Sequence, residues 1–130
     1  MKANEIDLIK FWAEARERLD VALRTLNDAD LSFGPGGELR TLGDNLAHIG
    51  LAEDYWLSIA QGGQTGSWDV AKNPELATVA GLTRRLNEAH EATLAYLGGL
   101  DADRLDDTRK TRRGEEVTLR WIFWHVIEHE

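Results

Sequence analysis

Apolar residues recur at intervals of three and four along separate stretches of this chain, and glycine-rich breaks divide one stretch from the next. In the first, Leu8, Ile9, Trp12, Ala15, Leu19, Ala22, Leu23 and Leu26 mark one face of a helix from about Asn4 to Asn27. Asp28-Ala29-Asp30 and then Phe33-Gly34-Pro35-Gly36-Gly37 end it, because glycine has no helical bias and proline lacks the amide donor. Thr41 followed by Asp44 has the outline of a capping box, with Asp for the usual Glu, and opens a second helix with Leu42, Leu46, Ile49, Ala52, Tyr55, Trp56 and Ile59 inward. Gly62-Gly63 stops that helix, and the stretch from Gln61 to Asn73 is a loop holding Trp68. A third helix runs from about Leu76 to Leu97 through Val79, Leu82, Leu86, Ala89 and Leu94, with Gly98-Gly99 as its stop. After a charged connector from Asp101 to Glu116, Thr118 is a good N-cap for a fourth. Nothing reads as a sheet of several strands or as an internal repeat. The pattern predicts an all-α four-helix bundle, and 130 residues with 42% hydrophobic content make residues 1–130 a single domain.

The fourth helix differs from the others. From Thr118 to Glu130 it spans only about 20 Å, against about 35 Å for the first, at 1.5 Å per residue. No glycine, proline or basic last turn follows His129, and Glu130 falls at the negative end of the helix dipole. The expectation is a helix that continues beyond Glu130.

Cysteine is absent, so disulfides, thiolate metal sites and cysteine nucleophiles are excluded, and any metal must be held by His, Asp or Glu. A net charge of −8 opposes a broad phosphate-binding surface and argues against nucleic acid as the main partner. The cluster Arg109, Lys110, Arg112 and Arg113 is the exception, but Asp106, Asp107, Glu115 and Glu116 flank it and we read it as a solvated, self-compensating loop rather than a docking patch. The N-terminus leads into an amphipathic helix carrying Glu14, Arg16, Glu17 and Arg18, with no apolar leader and no membrane span. We expect a cytoplasmic protein with no membrane partner.

Chemistry is concentrated in the histidines. His125 and His129 lie one turn apart, about 6 Å in rise, on a stripe shared with Ile122 and Val126, a spacing at which both can reach one ion. His48 borders the inward face of the second helix, beside Ile49 and one turn from Ala52 and Asn45. Three imidazoles pointing into one bundle suit a divalent Zn, Ni, Mn or Fe ion with open positions for water or a thiol. The alternative from spacing alone is that each histidine satisfies an ordinary hydrogen bond. His90, flanked by Glu88 and Glu91, is expected at an exposed or rim position. Trp12, Trp56, Trp121 and Trp124 at helical spacing read as core rather than substrate platform, whereas Trp68 reads as a lid or dimer residue. His125-Val126-Ile127-Glu128-His129 also fits H-x-x-E-H, the inverted zincin pattern; that short motif normally belongs to a larger protease, and we set it aside.

Two segments carry a family resemblance. Thr41-Leu42-Gly43-Asp44-Asn45-Leu46-Ala47-His48-Ile49, followed by Glu53 and Trp56, resembles the second-helix signature of the DinB-like (DinB/YfiT) family of metal-dependent enzymes. The segment from Thr118 to Glu130 resembles its fourth-helix signature, and the likeness covers nearly the whole chain. It implies a four-helix bundle, often a homodimer, with a divalent ion held by one histidine of the second helix and two of the fourth. His48 and His129 match two of these ligands; the family's third normally lies four residues after the position of His129. His125 matches a histidine found one turn earlier whose role is less settled. Glu53 is read either as a carboxylate orienting an imidazole or as a helix-surface residue.

The resemblance also implies a function: the ion activates water or a low-molecular-weight thiol cosubstrate against a small-molecule substrate, making the chain an S-transferase or a hydrolase. A non-catalytic stress-response or metal-binding bundle dimer is the alternative. DNA association, suggested only by the damage-inducible origin of the family name, runs against the acidic charge.

Overall fold

A computed structural model describes residues 1–36, 40–63 and 73–130. Among them are four helices, α1 (Asp7–Arg24), α2 (Leu42–Ala60), α3 (Val79–Gly99) and α4 (Leu119–Glu128), and two short antiparallel strands, β1 (Thr108–Lys110) and β2 (Glu116–Thr118). The all-α bundle expected from periodicity is present. None of the described helices is long and apolar enough to cross a membrane. Trp68 lies outside the described residues.

Local chemistry explains the helix starts. Thr41 accepts from the Asp44 amide while Asp44 accepts from the Thr41 amide, the reciprocal box read from the sequence. Thr78 caps α3 through the Gly81 amide and Thr118 caps α4 through the Trp121 amide. The third helix begins later than periodicity suggests, because Pro74–Ala77 forms a separate 3₁₀ turn first. Its backbone approaches α3 so closely that a Cβ on Gly81 would collide with the Glu75 carbonyl, so glycine is required there.

The connector from Asp101 to Glu116 departs from the expected loop. After a 3₁₀ turn at Ala102–Asp106 it forms a hairpin in which Thr108 pairs with Thr118, Arg109 with Val117 and Lys110 with Glu116. Three-residue strands carry too little alternation to be recognised by period, and here the ladder forms because the second strand runs directly into the cap of α4. The chain's beginning is pinned nearby: Ala3 donates to the Leu100 carbonyl at 2.7 Å and Lys2 pairs with Asp101 at 2.7 Å.

α2 packs against both α3 and α4, and α1 packs against α3. The buried side chains divide into two clusters. One joins Ile9 and Trp12 to Ile59, Leu97, Leu119, Ile122, Phe123 and Val126. The other joins Leu23 and Leu31 to Leu46, Leu51, Leu82 and Leu86. Along α1, α2 and α3 the residues between these clusters include Arg16, Glu53 and His90, so the waist of the bundle is polar.

Candidate functional site

His48 lies in the second turn of α2, His125 in the second turn of α4, and His129 caps the end of α4 with helical backbone angles. Packing of α2 on α4 brings the three rings into a row. The His48 and His129 centroids are 5.0 Å apart and those of His125 and His129 are 4.8 Å apart. The His129 Nδ1 lies 2.8 Å from the His125 carbonyl oxygen. A carbonyl only accepts, so this nitrogen carries a proton, and in the neutral ring the lone pair is then on Nε2, one of the two nitrogens through which imidazole binds metals.

His125 is fixed by aromatic neighbours. Trp121 stacks on it at 4.6 Å and 10°, and Trp56 meets it edge-on at 5.2 Å. Its Nδ1 is also 3.8 Å from Glu128. Burial, and then the neighbouring His129, push the pKa of both His48 and His125 below the ordinary imidazole value; Arg40 adds to the effect on His48, and Glu128 opposes it at His125. Both rings are therefore neutral at neutral pH, the state that can donate to a cation. The chemistry of this donor set fits a divalent ion. Its number is smaller than the family signature implies, because among the described residues no group of three or more His, Asp or Glu side chains is arranged to hold one ion.

Behind the imidazoles lies a buried charge network. The Arg16 side chain is 5% exposed and those of Glu53 and Glu130 are each 1% exposed. Arg16 Nη2 donates to Glu53 Oε2 at 2.7 Å and to Glu130 Oε1 at 2.6 Å, Nε donates to the same Glu130 oxygen at 3.0 Å, and Nη1 donates to the Leu86 carbonyl at 2.9 Å. Trp12 Nε1 also donates to Glu130 Oε1, at 2.8 Å. Burial by itself disfavours the guanidinium charge, but hydrogen bonds and charges from Glu130 and Glu53 outweigh it and hold the Arg16 pKa above its usual value. His90 Nδ1 lies 3.3 Å from the other Glu53 oxygen, and its ring meets Trp12 edge-on at 4.7 Å. One arginine thus ties α1 to α2, to α3 and to Glu130, the residue after the cap of α4. Glu53 shares α2 with His48, and Glu130 directly follows His129, so the Arg16 network and the two imidazoles lie on the same stretches of backbone.

The histidine signatures of α2 and α4 meet in space within a four-helix frame, and a family model for the DinB superfamily matches residues 12–130. The chain belongs to the DinB superfamily. No curated protein matches it.

Against the expectations for a DinB-like chain, the structure brings His48, His129 and His125 together as ring neighbours. Glu53 is not a surface residue, and the imidazole it meets is His90 rather than one of the three signature histidines. His90 is correspondingly drawn inward, with its side chain 13% exposed, because Glu53 and Trp12 together offer a partner for its nitrogen and a wall for its ring. Trp12 is core as expected, but Trp121 and Trp124 are 40% and 49% exposed. Their positions flank the apolar stripe of Ile122, Phe123 and Val126 instead of lying on it.

Arg16 and Glu130 were not recognisable as site residues by residue type, since each reads as a solvated charge. A signal existed for Arg16. Ile9, Trp12, Arg16, Leu19 and Leu23 alternate spacings of three and four, so Arg16 occupies an inward position of the α1 stripe, where a buried guanidinium demands carboxylate partners. Glu130, unfavourable by the dipole argument, is compensated by Arg16 and the Trp12 indole.

Proposed function

We propose that this DinB-superfamily chain is a divalent-metal-dependent enzyme of the S-transferase or hydrolase type, with His48 and His129 as ligands. The observation that carries the reading is the pairing of two imidazoles, His48 and His129, 5.0 Å apart across the contact between α2 and α4. A bound Zn, Ni, Mn or Fe ion supplies Lewis acidity for a water or low-molecular-weight thiol nucleophile. The chain's own contribution is positional. His129 keeps its lone pair on Nε2 by donating from Nδ1, and Arg16, by holding Glu53 and Glu130, keeps α2 and the end of α4 at fixed separation. His125, against Trp121, lies beside the pair as a second imidazole of α4.

Titration of chelator-treated protein with each metal, followed by elemental analysis after gel filtration, tests the reading. The expected result is a stoichiometric ion in the wild type, lost in His48→Ala and in His129→Ala, and a metal-dependent conjugate when a thiol and a chloroaromatic or epoxide are added. Retention of the ion by both variants would overturn the ligand assignment.

A second reading is a non-catalytic helical-bundle dimer. It is favoured by the absence, among the described residues, of a three-donor cluster, and by the exposure of Phe11 and Val21 on the outside of α1. Metal-free protein whose melting is indifferent to chelator, and which sediments as a dimer, selects this reading.

A further inference from the structure

A cavity of about 350 Å³ opens beside the imidazole row, lined by Tyr55 and Trp56 of α2, Trp121 of α4, and Thr111, Arg112, Arg113 and Glu115 of the hairpin turn. The two indoles in its wall are the same two that pack on His125, so cavity and imidazoles share a partition. Trp56 meets Trp121 edge-on at 5.4 Å and Tyr55 edge-on at 5.0 Å. These rings form an angled aromatic wall, and Trp121 remains 40% exposed despite its size.

The cationic side is held in place by the backbone. Thr111 donates to the Glu115 carbonyl at 2.8 Å, Gly114 donates to the Thr111 carbonyl at 2.9 Å, and the Glu115 amide donates to the Thr111 hydroxyl at 3.2 Å. Gly114 takes the positive φ of 82° that this turn requires, a conformation a side chain would resist. The turn therefore offers Arg112 and Arg113 from a defined position. The other arginines between residues 101 and 120 are engaged: Arg104 with Asp107, Arg109 with the Ala60 and Thr108 carbonyls, and Arg120 with Asp106. Arg112 and Arg113 make no hydrogen bond or ion pair with the described residues. In a chain of net charge −8, this is a local positive rim on an aromatic wall.

We propose that this cavity binds a small planar aromatic carboxylate, its ring against Trp56 and Trp121 and its carboxylate on the guanidinium groups of Arg112 and Arg113. Guanidinium forks match the planar carboxylate geometrically, and exposed indole is the side chain best suited to a ring face. Glu115 on the same rim leaves one net positive charge, which matches a monoanion. The volume is at the lower end of the range for small-molecule pockets and accommodates a ligand of one or two fused rings. The site requires no ion at the imidazoles, so it stands or falls separately from the metal reading.

The probes are 1-naphthoate, its neutral counterpart 1-naphthalenemethanol, and acetate. Binding is measured by calorimetry and tryptophan emission in chelator-treated protein and again after metal loading. Naphthoate is expected to bind saturably in both states, with both controls at least about tenfold weaker. Charge-assisted hydrogen bonds of ordinary strength predict that R112A/R113A loses roughly tenfold to a hundredfold in naphthoate affinity. Trp121→Leu loses binding and the emission change together, whereas Lys110→Ala, removing a nearby cation that does not line the cavity, leaves affinity unchanged. Circular dichroism verifies that each variant is folded; all the substituted side chains except that of Trp121 are at the hairpin surface, and R112A/R113A alone keeps the test decisive if W121L unfolds. Equal affinity for naphthoate and the alcohol, unchanged affinity in R112A/R113A, an equal loss in K110A, or no saturable naphthoate binding at millimolar concentration would each overturn the proposal. Failure of metal loading with naphthoate binding intact would instead count against the metal reading alone.

Discussion

Arg16 is the residue on which this arrangement turns. Its guanidinium balances two carboxylates that are otherwise sealed from water, so replacing it with methionine leaves both charges buried without their counterion. Arg16→Met is expected to cost roughly 3–5 kcal/mol, measured as the shift in urea unfolding. Adding Glu53→Gln and Glu130→Gln to that variant is expected to restore part of the loss, because a neutral polar set no longer demands a counterion. The imidazoles make a second residue-scale prediction. His48 and His125 have pKa values depressed by burial, so as pH falls the unfolded chain takes up their protons first. The stability they contribute is complete above about 6.5, the ordinary imidazole value, and drains away as pH drops through the lower folded-state values. Urea midpoints should therefore fall between pH 7.5 and pH 5, with a shallower slope in His48→Gln and His125→Gln. Asp54 acts in the opposite sense: burial raises its pKa against the pull of Arg85, so its ionisation is unfavourable in the fold and acidification relieves it. An Asp54→Asn background isolates the histidine contribution.

At the scale of elements, α4 carries the most consequence for its length. It supplies His125 and His129, lines the cavity with Trp121, and begins where β2 ends at Thr118. Removing the cap as Thr118→Ala is expected to cost about 1 kcal/mol and to loosen the first turn of α4, read as faster amide exchange at Trp121, whose amide the cap holds. The helices were legible in the sequence because their apolar stripes repeat over several turns and because Thr41, Thr118 and the paired glycines mark ends by known chemistry. The strands were not, since three residues give no period and their pairing depends on where α4 starts. Spacing placed His48 on the inward border of α2 and the other two histidines together on α4, and the family signature singled out His48 and His129 as the matching pair. Trp121 illustrates the limit. Its helical position suggested burial, yet it lies beside the buried stripe of Leu119, Ile122, Phe123 and Val126, packs by its edge against Trp56, and stays 40% exposed where it forms a cavity wall with the hairpin.

For the molecule as a whole, the two apolar clusters hold most of the buried hydrophobic residues among the described residues, and the polar waist lies between them. Apolar packing has no directionality, whereas the Arg16 hydrogen bonds to Glu53 of α2, the Leu86 carbonyl of α3 and Glu130 beyond the cap of α4 each have a preferred geometry, so a helix rotation costs them. Binding at His48 and His129 should couple to that frame. A divalent ion that binds only the folded form is expected to raise the melting temperature with concentration, by about 2.7 kcal/mol of stability at a hundred times its dissociation constant. The same titration should leave His48→Ala and His129→Ala unmoved, and differential scanning calorimetry distinguishes the cases. The Arg16 contacts carry one more consequence. If Glu130 swings away, Arg16 keeps Glu53 but loses its second carboxylate inside an apolar shell, and Trp12 loses its acceptor at the same moment. Opening there is expected to cost both contacts together, so the imidazole row should lose its order in step with the Arg16 network rather than ahead of it, read as matched amide exchange at His129 and Glu130.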